Sequence, residues 1–393
     1  MSPIFFAIFL NDLGRELNRS GLGINIGNIN IAAVFFADDL VLVGKTRKAL
    51  HKLMKIARRY FKNHFLVISE SKSKVMSHDA STGEEQFDET EDIPLITLEK
   101  VCSFNYLGIP LNVAPYCLFR DFNERIKRKA NNYLHAVLAL ARNGPDRSEL
   151  ARALWLNCAL PSILFGCEVI PINQGTINEV ERCQSLVGKF VLQIPKNSAN
   201  VCANIDAGFK PVRHVVDEKV LLYSHRIMQM SPDVWTKKAM EEIITLGDCS
   251  SYYRNLLKIK SKYNSFGMSR SQIKDAVYHS AVHHVLKEQE VASISTFAMS
   301  KPGLGCKQKW FRMKTWINDS VKCKIFNEFR SCNTGLGNRG PTKDGQFFKL
   351  CPLCKSKNIN AINNEVGTMA AEYLTPKSLE FKESYTLRIV IFI

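Results

Sequence analysis

The sequence predicts an α+β protein, because strand-forming patterns are concentrated in its early part and helical patterns follow them. Its 393 residues are enough to bury a sizeable core and to form two or three domains. A composition of 46% apolar and 23% charged residues is typical of a globular protein and excludes a disordered chain. No segment reaches the roughly 18 continuous apolar residues that a membrane span needs, so no membrane partner is expected.

The charge balance favours a polyanionic partner. Lys and Arg number 53 against 37 Asp and Glu, which gives a net charge of +16 and a pI of about 9.3. Nucleic acid is the simplest partner for such a chain, and a basic protein without a polyanionic partner is the alternative.

The expected location is intracellular, in the nucleus or cytoplasm. Twelve scattered cysteines are typical of a reduced protein and not of a disulfide framework. The apolar run at residues 4–10 lacks the basic segment and the cleavage site of a secretory signal, so it predicts a core helix.

The first elements are a helix and two hairpins. Residues 3–19 begin with Pro and become polar toward their end, which predicts a half-buried helix. Residues 21–44, GLGINIGNINIAAVFFADDLVLVG, predict two consecutive β-hairpins, with Asp38 and Asp39 at the turn of the second.

The next segment mixes helix, strand and loop. Apolar residues at helical spacing in 46–65 predict an amphipathic helix whose other face is basic. A short strand at 66–69 and a basic loop at 70–76 are expected after it. Residues 79–92 carry only negative charge, which predicts a mobile insertion or linker. Residues 94–112 predict a strand, a turn and a strand.

The remainder predicts helices and then a basic region. From 119 to about 262 the pattern is mostly helical. Beyond residue 300, Lys and Arg alternate with Trp, Phe and Gly, which suits either a nucleic-acid surface or solvated loops around a few core aromatics. The predicted domains are a palm-like part at 1–116 with the acidic insertion, a helical thumb-like part at 117–262, a basic region at 263–350 and a C-terminal segment at 351–393.

Asp38 and Asp39 are adjacent carboxylates in a strongly apolar, strand-forming run. Ionised side chains are rarely buried unless they are paired or bind a metal. Mg²⁺ prefers oxygen ligands and is often bound by one or two carboxylates together with substrate phosphates. The pair is therefore a candidate metal site for phosphoryl transfer, and an ordinary Asp-Asp turn is the alternative.

Four motifs occur in order within the first part of the chain: SPIFFAIFLNDL at 2–13, FADD at 36–39, SESKSKVM at 69–76 and YLG at 106–108. They resemble the motifs of the polymerase palm in reverse transcriptases of non-LTR (LINE-type) retrotransposons. In that family a helix of the form SPxLFxxxxNDL precedes a [YF]-A-D-D hairpin, a lysine motif and a YLG turn. Four ordered motifs are far more specific than any one of them.

The resemblance implies a role for each matching residue. Asp38 and Asp39 would be catalytic ligands of Mg²⁺, and Phe36 and Ala37 would lie beside the nucleotide. Lys72 would face the triphosphate as a proton donor to the leaving pyrophosphate. The alternative interpretation of Lys72 is a solvated lysine in a basic loop. The implied reaction is Mg²⁺-dependent addition of deoxynucleotides to a primer 3′ end.

The resemblance also implies partners and a second contact site. An RNA template and a DNA primer or target would be the partners. Tyr106, Leu107 and Gly108 would form the primer grip, where a tight Gly turn lets the backbone approach the primer end. An ordinary hairpin turn is the alternative.

A third catalytic aspartate is expected upstream of the SP helix in this family, whereas this sequence begins within that motif. Asp12 and Glu16 lie on the helix itself and are not obvious replacements. We therefore expect an N-terminally truncated reverse transcriptase that is inactive alone. A non-catalytic, basic nucleic-acid-binding protein is the alternative function.

CPLC at Cys351 and Cys354 has metal-ligand spacing and resembles the C-terminal zinc knuckle of the same elements. Gly367 stands where the family has a histidine, and no Cys or His follows Cys354. The expectation is a degenerate zinc site. His283 and His284 lie in a helical pattern and are interpreted as surface or packing residues.

Overall fold

The computed structural model describes residues 3–27, 29–37, 39–77, 83–87, 95–142 and 147–291. Helices and small sheets are mixed, which confirms the predicted α+β class. The chain divides into two compact units. The first comprises Met1–Tyr133, Leu156–Cys183 and Pro211–Ala281, and the second Leu134–Trp155, Gln184–Lys210 and Val282–Ile393. The four-part division of the sequence stays a prediction.

The N-terminal elements confirm the predicted helix, two hairpins and amphipathic helix. Each hairpin is antiparallel, with Ile26 opposite Ile29 in the first and Phe36 opposite Asp39 in the second. The elements are α1 (Pro3–Arg19), β1 (Ile24–Ile26), β2 (Ile29–Ile31), β3 (Ala33–Phe36), β4 (Asp39–Leu42) and α2 (Arg47–Asn63).

These elements share one apolar core. Leu13 and Leu17 of α1 and Leu53 and Ala57 of α2 are completely buried there. Each pair is separated by four residues, so its members lie on the same face of their helix. The apolar periodicity of the sequence is thus what packs α1 against α2.

One side chain links α1 to the second hairpin. The Oδ1 atom of Asn18 accepts hydrogen bonds from the backbone N–H of Ala32 at 2.8 Å and of Ala33 at 3.2 Å. Ala32 lies between β2 and β3, where the chain leaves one hairpin and enters the next. The amide of Asn18 satisfies the backbone groups at this junction, because buried N–H groups need a partner.

The next strands form a three-stranded sheet and a further hairpin. In the sheet, β7 is the central strand, parallel to β5 and antiparallel to β6. The predicted strand at 66–69 is absent, and Val67 within it is 94% exposed. The strands are β5 (Lys74–Val75), β6 (Gly83–Phe87), β7 (Ile96–Lys100), β8 (Ser103–Tyr106) and β9 (Ile109–Asn112).

Strand β6 lies inside the segment predicted to be an acidic linker at 79–92. Glu85 and Phe87 are two residues apart, so they lie on the same face of the strand, and both are 2% exposed. The Glu85 carboxylate contacts Arg47, His51 and Lys100. Neutralisation by Arg47 and Lys100, together with the hydrogen bond to His51, is the physical reason why an acidic segment forms a buried strand.

The rest of the described chain is helical, as predicted for 119–262. A π-helical turn at Trp155–Ala159 separates α4 from α5. None of the described helices is long and apolar enough to cross a membrane. The helices are α3 (Pro115–Arg142), α4 (Arg147–Leu154), α5 (Leu160–Ile163), α6 (Gln174–Leu192), α7 (Asn200–Asp206), α8 (Val212–Met228), α9 (Trp235–Thr245), α10 (Ser251–Tyr263) and α11 (Arg270–Val291).

Each unit has buried packing of its own among these helices. In the first unit, Val220, Leu256 and Val277 of α8, α10 and α11 share an apolar cluster. In the second, the ring of Trp155 is completely buried, and its Nε1–H donates to Gln184 Oε1 at 3.3 Å. A buried indole N–H needs such a partner.

Candidate active site

The turn between β3 and β4 carries the residues of the FADD motif. Phe36 ends β3 with 60% of its surface exposed, and Ala37 follows with a left-handed φ of +50°. Asp39 begins β4 and is exposed. Asp38 lies outside the described residues.

Phe36 and Asp39 of the FADD motif lie on the solvent-facing side of the β3–β4 hairpin. Phe35 of β3 and Leu40 of β4 pack against the core between α1 and α2, and a Cβ at Gly14 of α1 would lie 3.3 Å from the Phe35 ring. Side chains alternate along a strand, so Phe36 and Asp39 lie on the opposite face. The alternation of apolar residues along the two strands therefore determines that the Asp39 carboxylate faces away from the core.

The YLG motif forms the turn between β8 and β9. Tyr106 pairs with Ile109, and Leu107 and Gly108 have φ values of +49° and +77°. Two left-handed residues are the pattern of a tight type I′ hairpin turn. A Cβ at Gly108 would meet no atom of the described residues within 4 Å, so the described part of the chain leaves the space over the turn open.

Arg125 of α3 holds this turn by a hydrogen bond to its backbone. This residue was not identified from the sequence. Its guanidinium donates to the carbonyl oxygens of Gly108 and Phe165, the latter at 2.6 Å, and lies 4.9 Å from the Phe122 ring centroid. Burial, and then the charge of Arg128, lower the pKa of Arg125. The signal that could have identified Arg125 in the sequence is a basic residue at a position that helical spacing places on the apolar face of α3, three residues after Phe122.

The charge of Asp39, at the FADD turn, acts on the Tyr106 phenol of the YLG motif. Burial raises the pKa of the Tyr106 phenol, and the negative charge of Asp39 raises it further. The Tyr106 hydroxyl is itself buried, without a hydrogen-bond partner in the described part of the chain. Two motifs far apart in the sequence are thus coupled by an electrostatic interaction between one carboxylate and one phenol.

Two other predicted sites do not join this cluster. Lys72 is exposed in the loop before β5, and no contact among the described residues connects it to Asp39 or Tyr106. Cys351 and Cys354 lie outside the described residues. His283 is exposed and His284 half-buried on α11, in line with a surface interpretation.

The described residues do not assemble a metal centre. No group of three or more His, Cys, Asp and Glu that could hold a metal ion occurs within the described ranges. Glu16 is in an ion pair with Arg59 at 2.5 Å, and burial, followed by the charge of Asp12, raises the pKa of Tyr60. Asp39 is the carboxylate of the FADD motif that lies within the described residues.

The order of the elements is helix, two hairpins, helix, a three-stranded sheet and a further hairpin, with Asp39 beside the turn of the second hairpin and Tyr106 beside the turn of the last. Residues 1–111 match the family model described as reverse transcriptase (RNA-dependent DNA polymerase). All four sequence motifs lie within the matched residues. This segment is therefore similar to reverse transcriptase domains, a family that acts on RNA and DNA and generally uses a divalent metal. No curated protein matches the chain.

Asp39→Asn is expected to lower the pKa of Tyr106, because the neutral amide no longer opposes ionisation of the phenol. Titration of phenolate absorbance, with Tyr106→Phe to assign the transition, measures this shift. Asp12→Asn is the matched control, since Asp12 acts on Tyr60 and should leave Tyr106 unchanged. An unchanged Tyr106 transition in Asp39→Asn would contradict the proximity of the two turns.

Proposed function

We propose that this chain carries part of the palm of a non-LTR, LINE-type reverse transcriptase, followed by a helical thumb-like region. The observation that supports the proposal is the electrostatic interaction of the Asp39 carboxylate with the Tyr106 phenol, since the two residues belong to two of the ordered motifs. In a polymerase palm the metal-bearing turn and the primer grip must both reach the primer 3′ end. Such a site therefore requires the two turns to lie close to each other.

The local geometry suits a nucleic-acid end at this place. The backbone at Gly108 is open to approach, while Arg125 holds its carbonyl oxygen from below. Phe36 presents an exposed aromatic side chain beside Asp39. We assign Gly108 to the primer backbone and Phe36 to the nucleotide, and Asp38 and Asp39 to Mg²⁺ when it is bound.

We further propose that the chain does not extend primers by itself. Palm chemistry uses two metal ions, which stabilise the attacking and leaving oxygens and need more carboxylates than one adjacent pair. Glu16 is in an ion pair with Arg59 of α2. It is therefore not available to complete the ligand set.

Binding to a DNA primer on an RNA template tests the palm assignment. The full chain should bind a recessed 3′ end about tenfold more tightly than a blunt duplex, a difference of about 1.4 kcal/mol. Gly108→Ala should remove this preference, because its methyl group enters the open space over the turn. Gly21→Ala is the matched control, since Gly21 has a similar φ of +68° with nothing near its Cβ.

The outcomes separate the proposals. Equal affinity for recessed and blunt ends would contradict the palm assignment and favour the second candidate, a non-catalytic basic nucleic-acid-binding protein, for which the net charge of +16 argues. Mg²⁺-dependent extension by the chain alone, abolished by Asp39→Asn, would overturn the proposed inactivity and support the palm.

A further inference from the structure

Helix α2 carries a row of cations along its solvent face. Successive members are separated by four or three residues, which places them on one side of an α-helix. Every member is exposed. We call this row the basic stripe: it consists of Lys48, Lys52, Lys55, Arg59 and Lys62.

The basic stripe is not compensated by acidic residues of its own helix. The sequence of α2 contains no Asp or Glu. Like charges four residues apart destabilise a helix, so the arrangement has a stability cost. Arg59 pairs with Glu16, whereas none of the described residues forms an ion pair with Lys48, Lys52 or Lys55.

The opposite, apolar face of α2 is buried in the core. Leu53 and Ala57 are completely buried against α1 and the second hairpin. A helix that binds a membrane surface inserts its apolar face into the lipid. That face is not available in α2, so the charges of Lys48, Lys52 and Lys55 are open to a polyanion in solution.

The end of α2 adds an unusual aromatic residue. The backbone N–H of Leu66 donates to Phe61 O at 2.8 Å, and that of Phe65 to Lys62 O at 3.2 Å, which is the Schellman pattern of a helix C-terminus. The left-handed position in this motif is usually Gly, but here it is Phe65, with φ +55°. Its side chain is 94% exposed.

Phe65 therefore combines a strained backbone with full exposure of an apolar ring. A bulky residue with positive φ is a genuine outlier, and such strain is concentrated at binding and catalytic positions. The ring follows Lys62, the last cation of the basic stripe, by three residues. Cations that meet phosphates and a ring that stacks on a base are the two components of a single-strand binding surface.

We propose that the basic stripe and Phe65 form a binding surface for single-stranded nucleic acid, separate from the FADD and YLG turns. The residues from 48 to 65 span about 25 Å along the helix axis, long enough to follow several nucleotides. The proposal does not rest on the proposed function, since it uses none of the residues of the FADD and YLG turns and needs neither metal nor a primer end.

Salt-dependent binding of a labelled oligothymidylate to the full chain, in EDTA, tests the stripe. Replacing Lys48, Lys52 and Lys55 by Gln should reduce the slope of log K against log salt by about 2, since each phosphate contact to a single strand contributes about 0.7. The control carries the same loss of charge elsewhere, at the exposed Lys258, Arg270 and Lys274 of α10 and α11. It should leave the slope unchanged.

Phe65→Gly tests the ring and separates binding from folding. Its affinity for the oligothymidylate should fall roughly 5- to 150-fold, the range for loss of one stacked base. Its resistance to urea should equal or exceed that of the wild type, because Gly suits the left-handed position. Val67→Ala removes an equally exposed apolar side chain that has no ring, and its affinity should be unchanged.

Three results would overturn the proposal. These are equal salt slopes for the stripe variant and its control, wild-type affinity in Phe65→Gly, or binding to phosphatidylserine vesicles in place of the oligothymidylate. Because the probe has no primer–template junction, such a failure leaves the palm assignment untouched. Conversely, loss of the recessed-end preference in the test of the palm leaves the stripe untouched.

Discussion

Glu85→Gln is expected to lower the free energy of unfolding by about 3 kcal/mol, because removing one partner of a buried ion pair leaves uncompensated charge. Glu85 is 2% exposed, and its carboxylate contacts Lys100 at 2.8 Å, His51 at 2.6 Å and the Arg47 guanidinium. Urea unfolding followed by circular dichroism measures the loss.

Glu84→Gln is the matched control for this change. Glu84 is the neighbouring residue on β6 but is exposed, so its substitution should alter the free energy of unfolding by less than about 0.5 kcal/mol. If the two variants were equally stable, the cluster around Glu85 would contribute nothing measurable.

Acid should reproduce the loss seen in Glu85→Gln. Burial opposes ionisation of Glu85, but hydrogen bonds from Lys100, His51 and Arg47 hold its pKa at about 2, below the ordinary 4.5. A lowered folded-state pKa stabilises the fold above pH 4.5, and this contribution is lost as the pH falls from 4.5 toward 2. The wild type should lose about 3 kcal/mol from this group over that window, and Glu85→Gln should lack this component.

Arg125→Ala is expected to have an effect of similar size, about 3 to 4 kcal/mol, since it removes two charge-assisted hydrogen bonds and a cation–π contact. Two carbonyl oxygens, of Gly108 and Phe165, would lose their donor. Because one of them belongs to the β8–β9 turn, the recessed-end preference should decrease as well. Urea unfolding and the primer–template assay measure the two effects.

Arg125→Lys should not restore stability fully, because a single ammonium cannot reproduce the fork of the guanidinium. The control is Arg128→Ala, which removes an exposed arginine from the same helix and should change the free energy of unfolding by less than about 0.5 kcal/mol. A stable Arg125→Ala variant would mean that the turn is held by its own backbone.

Local patterns in the sequence were sufficient for the first elements. The helix at 3–19, the two hairpins and the helix at 46–65 depend on side-chain spacing and turn residues, which act over a few positions. The ordered motifs also pointed to the FADD and YLG turns. The electrostatic interaction between Asp39 and Tyr106 required the folded chain, because it depends on packing between distant segments.

The charged residues that stabilise the fold could not be predicted in this way. Glu85 lies in an acidic segment that suggests a linker, and it becomes buried only because Arg47, His51 and Lys100 come from other elements. Arg125 similarly meets carbonyl oxygens from two distant parts of the chain. The run at 66–69 has strand-forming residues, but strand formation needs a neighbouring strand, and Val67 is exposed instead.

The Asn18 side chain has a dynamic consequence. One oxygen atom on the last turn of α1 accepts from the amides of Ala32 and Ala33, so those amides cannot exchange their hydrogens with water unless this contact opens. Local opening in proteins proceeds in cooperative units. Fraying of the C-terminal end of α1 and opening of the start of β3 are therefore one cooperative event. The stability of this helix end thus determines how often the FADD hairpin detaches from α1.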